Sequence, residues 1–243
     1  MKVLILMAGE DKYVTEHGKD YPKYLLEMGE KTLIQHVLES LSSLNGDITL
    51  VVRKEDNEKF FLGNTLRILS PESNVISVSG ETKGAVCTAL FAIDDIKNEN
   101  ELLVLNGNQL INYNLHEIIQ NFRDRKLDGG ILTFNSVHPK WSYVRLNEEQ
   151  LVVQTSEKRP ISNMATAGCY YYKSGAEFVD ACFSVIRKDT NYNGNYYISS
   201  TYNEMILKQK KIGVFQIPRK KYLSFADVRL NETNINHKNN SYD

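Results

Sequence analysis

An uninterrupted apolar run close to the N-terminus, residues 3–7, is followed directly by Ala8 and Gly9. A strand without alternating polar residues is typical of the parallel sheets of α/β proteins, in which helices cover both faces. A glycine at the carboxyl end of the first parallel strand lets the backbone approach a ligand closely, at the edge where open α/β sheets bind ligands. The run therefore predicts a buried first strand that ends beside a binding site.

Strand and helix patterns alternate over the first half of the chain. A polar loop is expected over 9–22, after which Thr32 can cap a helix whose apolar positions recur at helical spacing as far as residue 44. Apolar runs predict strands at 48–52, 75–78 and 102–105, and helices are predicted over 85–96 and 115–125. Strands separated by helices favour a parallel sheet with right-handed crossovers.

The second half changes character, because its predicted strands have short or polar connections. Strands are expected at 143–146, 151–153, 168–172, 213–217 and 223–225, and helices at 174–187 and 199–210. No Pro/Gly-rich linker separates the two halves. We therefore expect a single domain over 1–232, followed by a flexible, Asn-rich tail over 233–243.

Charge and cysteine content narrow the classes of function. The chain carries 29 basic and 30 acidic residues, so no broad positive field would recruit nucleic acid or an anionic membrane. Any phosphate must be bound by a few placed cations and backbone N–H groups. The three cysteines form no CxxC pair, which argues against a disulfide framework and a zinc site. With no apolar run of membrane-spanning length, we expect a cytoplasmic protein.

Six short segments, in this order along the chain, resemble motifs of the sugar-phosphate nucleotidyltransferases. They lie at residues 7–9, 22–26, 82–85, 103–109, 157–171 and 225–228. The resemblance implies an α/β fold of the Rossmann-like, GT-A-like type, with a mixed, mostly parallel sheet and helices on both faces. It also implies a nucleotide half over about 1–130 and a substrate half over about 131–232.

For the nucleoside triphosphate, the resemblance implies a set of contacts in the first half. Gly9 and neighbouring amides would face the triphosphate, Lys23 would act at the reacting phosphates, and Gly84 would let the base or sugar approach. The nucleotide-binding residues implied in this way are Ala8, Gly9, Lys12, Lys23, Gly84, Asn106 and Gly107.

For the phosphorylated acceptor, the resemblance implies that Lys158 grips its phosphate as a second catalytic lysine, and that Glu157 and Gly168 help to place it. Residue type adds Trp141, Tyr143 and Tyr197, since aromatic side chains near polar ones suit a sugar or another polar metabolite. The alternative for Trp141 is a core aromatic beside a capped strand. For the stretch around Tyr197, the alternative is a loop followed by an amphipathic helix.

For the metal, the resemblance implies Mg²⁺ held by Asp227 and the residue at position 108. The family has an aspartate at this position, whereas Asn108 supplies an amide oxygen without charge. A second departure from the family lies in the loop after the first predicted strand. The family pattern is Gly-x-Gly-x-Arg, whereas residues 9–13 read GEDKY. Lys12 replaces the rigid guanidinium fork by a mobile point charge.

The leading hypothesis is thus a Mg²⁺-dependent enzyme that joins a nucleoside monophosphate to a sugar phosphate or similar metabolite and releases pyrophosphate. The segment 138–143 resembles one in bacterial surface-polysaccharide proteins, which suggests capsule or lipopolysaccharide precursor synthesis. One alternative is a GT-A glycosyltransferase that uses a finished nucleotide sugar. Another is a catalytically weak nucleotide-binding relative. Monomer and homo-oligomer both stay open.

Overall fold

The computed structural model describes residues 1–9, 12–14 and 20–225, with the backbone alone described at 12–14. The strands are β1 (Lys2–Met7), β2 (Lys12–Val14), β3 (Asp20–Pro22), β4 (Glu27–Met28), β5 (Lys31–Thr32), β6 (Asp47–Arg53), β7 (Asn74–Val78), β8 (Leu102–Asn106), β9 (Gln109–Ile111), β10 (Gly129–Asn135), β11 (Tyr143–Leu146), β12 (Val152–Ser156), β13 (Met164–Tyr172), β14 (Ile212–Ile217) and β15 (Tyr222–Ser224). The helices are α1 (Leu33–Leu41), α2 (Lys54–Phe60), α3 (Leu62–Leu69), α4 (Ala85–Leu90), α5 (Ile93–Ile96), α6 (Leu115–Asp124), α7 (Gly175–Arg187) and α8 (Ile198–Leu207).

A mixed central sheet organises the chain. Within the described residues nine strands join it in the order β12-β11-β13-β8-β1-β6-β7, with β10 paired to β13 and β14 paired to β10. The pairs β8-β1, β1-β6, β6-β7 and β10-β14 are parallel, and the pairs that involve β12 or β13 are antiparallel. All sheet strands except β12 and β13 therefore run in the same direction, which confirms the mostly parallel α/β fold.

The first strand is buried on both faces, as its continuous apolar run predicted. Val3, Ile5 and Met7 pack into one core with α1, α3 and α6, whereas Leu4 and Leu6 pack into a second core with α4, α7 and α8. Two apolar cores on opposite faces of one sheet are the expected result of helices on both sides.

The start of α1 follows the capping rule that Thr32 suggested. The Thr32 hydroxyl accepts from the Gln35 backbone N–H, and the Gln35 side chain accepts from the Thr32 backbone N–H at 2.6 Å. This reciprocal capping box satisfies two donors that the first helical turn leaves unpaired. It fixes the start of the helix that follows the β4-β5 hairpin.

Several local expectations differ from the structure. The loop expected over 9–22 contains β2 and β3, which pair with each other. Residues 85–96 form two short helices, because the chain tightens through a bond from the Ala92 N–H to the Ala89 carbonyl and leaves helical backbone at Ala92. The last two strands form close to where they were expected, with β14 beside β10 and β15 beside β9. The expected tail over 233–243 lies outside the described residues.

The segment after β14 brings the chain back to β9, next to the central strand β8. β15 pairs antiparallel with β9, and the Phe225 N–H donates to the Asn108 carbonyl at 2.9 Å. Two segments more than one hundred residues apart in sequence therefore meet at the end of β8. None of the helices in the described part of the chain is long and apolar enough to cross a membrane.

Candidate active site

The carboxyl ends of three neighbouring parallel strands form the floor of the site. β1 ends before Ala8 and Gly9, β6 ends at Arg53, and β8 ends at Asn106. Parallel strands present their last residues at one edge of the sheet, and this edge is where open α/β folds bind ligands. Two cavities open there.

The first, which we call the Lys23 cavity, has a volume of about 500 Å³. Its walls come from the end of β1, the short 3₁₀ helix Lys23–Leu25, the end of β6, and residues 80–88. It includes five of the residues that the resemblance assigned to the nucleotide: Ala8, Gly9, Lys23, Gly84 and Asn106.

The lysine that names this cavity is fixed by its surroundings. Lys23 is 3% exposed, and its Nζ lies 5.4 Å from the centre of the Tyr24 ring. The Nζ is also 3.1 Å from the point that a Cβ on Gly9 would occupy. A buried ammonium beside backbone that has no side chain is suited to hold an anion against that backbone.

The two other residues predicted to contact the nucleotide are Gly107 and Lys12. Gly107 does not line the cavity: a Cβ there would lie 2.6 Å from Met7 Cγ, and its N–H donates to the Leu6 carbonyl. Its small size serves core packing, so the structure does not bring it to the site. The side chain of Lys12 lies outside the described residues.

The second, the Lys158 cavity, has a volume of about 400 Å³ and lies on the side of β11 and β13. Of the residues predicted for the acceptor, five line it: Trp141, Glu157, Lys158, Gly168 and Tyr197. Tyr143 does not. It is fully buried in the core, where its hydroxyl donates to the His138 carbonyl at 2.6 Å, so the prediction of a substrate contact placed a core tyrosine in the site.

Lys158 is held in an unusual backbone conformation. Its φ is +55°, its N–H donates to the Trp141 carbonyl at 3.1 Å, and its Nζ donates to the Lys140 carbonyl at 3.0 Å. A left-handed residue other than glycine costs free energy and tends to persist where a site needs it. The backbone bond to Trp141 holds the segment, and the bond from Nζ to the Lys140 carbonyl holds the ammonium in the wall of the cavity.

Glu157 is a carboxylate surrounded by hydroxyl donors. Ser142 Oγ donates to it, and Ser199 Oγ donates to the same oxygen at 3.2 Å. Burial raises the pKa of Glu157 above its usual value, while the Ser142 hydrogen bond, the Lys158 charge and the Ser199 hydrogen bond act in the opposite direction. The carboxylate can still accept further hydrogen bonds on the cavity side.

The two cavities are adjacent. Ala85, Asn106, Asn108 and Tyr197 line both of them. Asn108 and Tyr197 therefore lie where a ligand in one cavity would reach a ligand in the other. Burial and the nearby Glu157 charge raise the pKa of the Tyr197 hydroxyl, which keeps it a neutral hydrogen-bond donor.

Two residues, Asn108 and Asp227, are the predicted metal ligands. Asn108 lines the junction of the cavities, whereas Asp227, the second predicted ligand, lies outside the described residues. In the part of the chain that the structure describes, no three His, Cys, Asp or Glu side chains gather in a way that could hold a metal ion. Amide oxygens such as that of Asn108 fit Mg²⁺, which usually takes one or two protein ligands and completes its shell with phosphates and water.

Sequence reasoning missed two residues of the site. Arg53 lines the Lys23 cavity, and its position directly after an apolar strand was the available signal. Gln109 lines the Lys158 cavity and is 4% exposed. Its Oε1 accepts from the Tyr222 hydroxyl at 3.2 Å, and its buried Nε2 has no hydrogen-bond partner among the described residues. An unpaired buried donor at a cavity wall is a candidate contact for a ligand.

The family model described as nucleotidyl transferase matches residues 2–215. The chain belongs to this family. Its relatives include the bifunctional protein GlmU of Methanocaldococcus jannaschii, 25% identical over 88% of this chain and 49% of that protein. The UTP–glucose-1-phosphate uridylyltransferase AglF of Haloferax volcanii is 22% identical over 89% of this chain and 88% of that one. The chain thus spans about half the length of the first relative and most of the second.

Solved structures show the same fold. The nucleoside-diphosphate-sugar pyrophosphorylase from Vibrio cholerae RC9 superimposes with a TM-score of 0.74 at 21% identity, over 91% of this chain and 94% of that one. A UDP-glucose pyrophosphorylase complexed with UDP-glucose gives a TM-score of 0.68 at 17% identity, over 88% and 89% of the two chains. At these identities the similarity establishes the architecture.

Proposed function

We propose that this nucleotidyltransferase-family protein joins a nucleoside monophosphate, taken from a nucleoside triphosphate, to a sugar phosphate or a similar phosphorylated metabolite. The observation that carries the proposal is the pair of adjacent cavities, each with its own lysine, that share Asn106, Asn108 and Tyr197. A reaction between two phosphorylated substrates needs two cationic sites whose contents can touch. The relative AglF, named as a UTP–glucose-1-phosphate uridylyltransferase, supports the same substrate class.

The Lys23 cavity would take the nucleotide. Gly9 leaves the backbone accessible at the end of β1, and Lys23 lies directly beside it. Gly84, with a φ of +92°, caps the start of α4 and lines the same cavity, as do Thr82 and Thr88, whose hydroxyls hydrogen-bond to each other at 2.6 Å. In this proposal Gly9 and Lys23 would bind the phosphates, and Thr82 and Thr88 would offer polar groups to a base or ribose.

The Lys158 cavity would take the acceptor. Lys158 supplies the charge for its phosphate, and Glu157 can accept hydrogen bonds from hydroxyl groups. Gln109 Nε2 offers a buried donor, and the aromatic ring of Trp141 lines the cavity. Donors, acceptors and a ring in one concave site are typical of the recognition of a polyhydroxylated molecule.

In the proposed reaction an oxygen of the acceptor phosphate attacks the α-phosphorus of the nucleotide. The new P–O bond forms as the bond to the β-phosphate oxygen breaks, and pyrophosphate leaves with that electron pair. Lys23 and Lys158 hold the two phosphates in place and offset the negative charge that builds on the phosphoryl oxygens. No covalent intermediate on the protein is required.

Magnesium is part of the proposal. Asn108 and Asp227 would hold it, and it would neutralise charge on the phosphates when bound. Since Asn108 is neutral, most of the negative ligands would come from the nucleotide itself. One amide oxygen and one carboxylate bind Mg²⁺ weakly by themselves, so we expect the metal to arrive with the triphosphate.

A second candidate is a nucleotide-binding relative with little turnover, and Asn108 is the observation that favours it. This relative would bind a triphosphate and release no pyrophosphate. A GT-A glycosyltransferase is less favoured, because an acceptor without phosphate would make no use of the fixed Lys158 ammonium. We further propose a cytoplasmic role in capsule or lipopolysaccharide precursor synthesis, on the resemblance of segment 138–143.

The test is a screen for pyrophosphate release with Mg²⁺, in which the common nucleoside triphosphates are combined with phosphorylated sugars and polyols. The proposal requires at least one pair that releases pyrophosphate only when both members are present. Matched controls replace each acceptor by its unphosphorylated form. Nucleotide binding without release from any pair supports the binding-only relative. Release that also occurs with the unphosphorylated acceptor contradicts the role assigned to Lys158.

A further inference from the structure

Arg53 occupies a position level with the loop that follows β1. In the parallel register between β1 and β6, Met7 pairs with Val52, so Arg53 is one step farther along, beside Ala8. On its other side Arg53 pairs with Val78 of β7, shortly before Gly80. The residue therefore lies between the Gly9 segment and the Gly80–Thr82 segment, and both of these line the Lys23 cavity.

The charge of Arg53 is buried in the cavity wall. The residue is only 8% exposed. A buried charge is costly unless it is paired. One partner is Glu55, whose side chain is 64% exposed. An ion pair with such an exposed carboxylate contributes little to stability, so loss of the Glu55 contact to a phosphate ligand would cost little.

We propose that Arg53 binds the terminal phosphates of the nucleotide and supplies the guanidinium fork that the loop 9–13 does not carry. The inference rests on the proposed function, because it assumes a nucleotide in the Lys23 cavity. Two observations favour phosphates over the base. Arg53 is level with Ala8, beside Gly9 and thus near Lys23, and a planar guanidinium matches two phosphate oxygens at once, which Lys23 cannot do as a point charge.

The experiment is a calorimetric titration of the nucleoside mono-, di- and triphosphate of one base. The proteins are the wild type, Arg53→Gln, Arg53→Lys and the control Arg67→Gln, which removes an exposed guanidinium from α3. Arg53→Gln should weaken triphosphate binding about 10- to 100-fold, the usual effect of losing hydrogen bonds to a charged group, and leave the monophosphate nearly unchanged. The triphosphate affinity of Arg53→Lys should lie between those of Arg53→Gln and the wild type, and that of Arg67→Gln should equal the wild-type value.

Glu55→Gln provides a test that does not disturb the buried position. Removing the exposed carboxylate leaves the guanidinium more available, so triphosphate affinity should rise by roughly two- to fivefold, with the monophosphate unchanged. A loss of triphosphate affinity in this variant counts against the proposal.

Equal weakening of all three nucleotides by Arg53→Gln, or no weakening, overturns the proposal. A loss that depends on the base and not on the number of phosphates overturns it too, in favour of a contact to the base. If the wild type binds and turns over nucleotide while these variants keep its phosphate dependence, only the role of Arg53 is wrong. If the wild type binds no nucleotide of any base, the proposed function is wrong as well.

Discussion

The Lys23 ammonium lies 3.1 Å from the point that a Cβ on Gly9 would occupy. Lys23 reaches this point from a 3₁₀ helix that starts after Pro22, and Gly9 reaches it from the end of β1. Together they make a cationic position against open backbone. A methyl group at this point would lie closer to the Lys23 nitrogen than an ordinary van der Waals contact, so the lysine would have to shift.

Because of this contact, adding a single methyl group at Gly9 tests its proposed role in nucleotide binding. Gly9→Ala should weaken nucleotide binding by several-fold to about 30-fold, since displacing one charged hydrogen-bond donor costs up to about 2 kcal/mol. The expected loss is confined to the nucleotide, because Gly9 does not line the Lys158 cavity. Calorimetry with each ligand separately checks the result; equal loss for both ligands would argue against the division into two cavities.

Gly168 has a positive φ, and any side chain at this position would collide with its neighbours. Its φ is +59°, and a Cβ there would meet Gln109 Oε1 and Asn106 Nδ2. Gly168→Ala should lower the free energy of unfolding by about 2–4 kcal/mol and weaken acceptor binding, because Gln109 is displaced. The control is Gly194→Ala: its φ is +77°, and no atom lies within 4 Å of the added Cβ. It should lose only about 1 kcal/mol. Urea unfolding of both variants measures the difference, and equal losses would show that the collision is relieved without cost.

Glu157 predicts a pH dependence with a defined sign. Its pKa is raised in the folded protein by burial, so folding takes up a proton between the unfolded and folded pKa values, and stability falls as pH rises through that window. Glu157→Gln should therefore raise the melting temperature at about pH 8 and change it little below about pH 4, where the acid is protonated in both states.

The same substitution should act in the opposite direction on acceptor binding. The ionised Glu157 accepts from substrate hydroxyls, so wild-type affinity should rise with pH through the raised pKa, and the variant should lose this rise. The titration of the acceptor phosphate is common to both proteins and cancels in the comparison. An identical pH profile of acceptor affinity in both proteins would exclude Glu157 from acceptor recognition.

Particular residues show how far the sequence predicts this molecule. The buried run of β1 and the Thr32 capping box are encoded by local patterns, and the structure confirms both. Tyr143 and Gly107 could not be assigned in this way. A tyrosine beside Trp141 resembles a ligand contact until the sheet shows that its ring lies in the core, and a glycine in a motif resembles a ligand contact until Met7 is seen to fill the space next to it.

Gln109 and Arg53 were missed for a related reason. Gln109 closes the segment 103–109 but was given no role there, and Arg53 lies outside the six resembling segments. Each gains its significance from a neighbour far away in sequence. Gln109 lies against Gly168 and Tyr222, and Arg53 lies level with Ala8. Pairings across a sheet of this kind depend on strand order, which local sequence does not specify.

Asn108→Asp tests the proposed metal position by charge alone, because the two side chains are nearly the same size. The added carboxylate should lower the Mg²⁺ concentration needed for nucleotide binding and turnover, since Mg²⁺ prefers charged oxygens. It should also reduce stability in the absence of metal if Asp227 lies nearby, because like charges repel. A Mg²⁺ titration of turnover in both proteins decides the point. An unchanged Mg²⁺ requirement would remove Asn108 from the metal site.

The central claim is that two cavities, each with its own lysine, divide the two substrates between them. It is tested most directly by calorimetric titration of the nucleotide and of the phosphorylated acceptor into Lys23→Met and Lys158→Met. The account predicts a crossed pattern. Lys23→Met should lose about 10- to 100-fold in nucleotide affinity and little in acceptor affinity, and Lys158→Met should show the reverse. If each variant loses affinity for both ligands equally, or if Lys158→Met binds the acceptor as tightly as the wild type, the two-cavity account is contradicted.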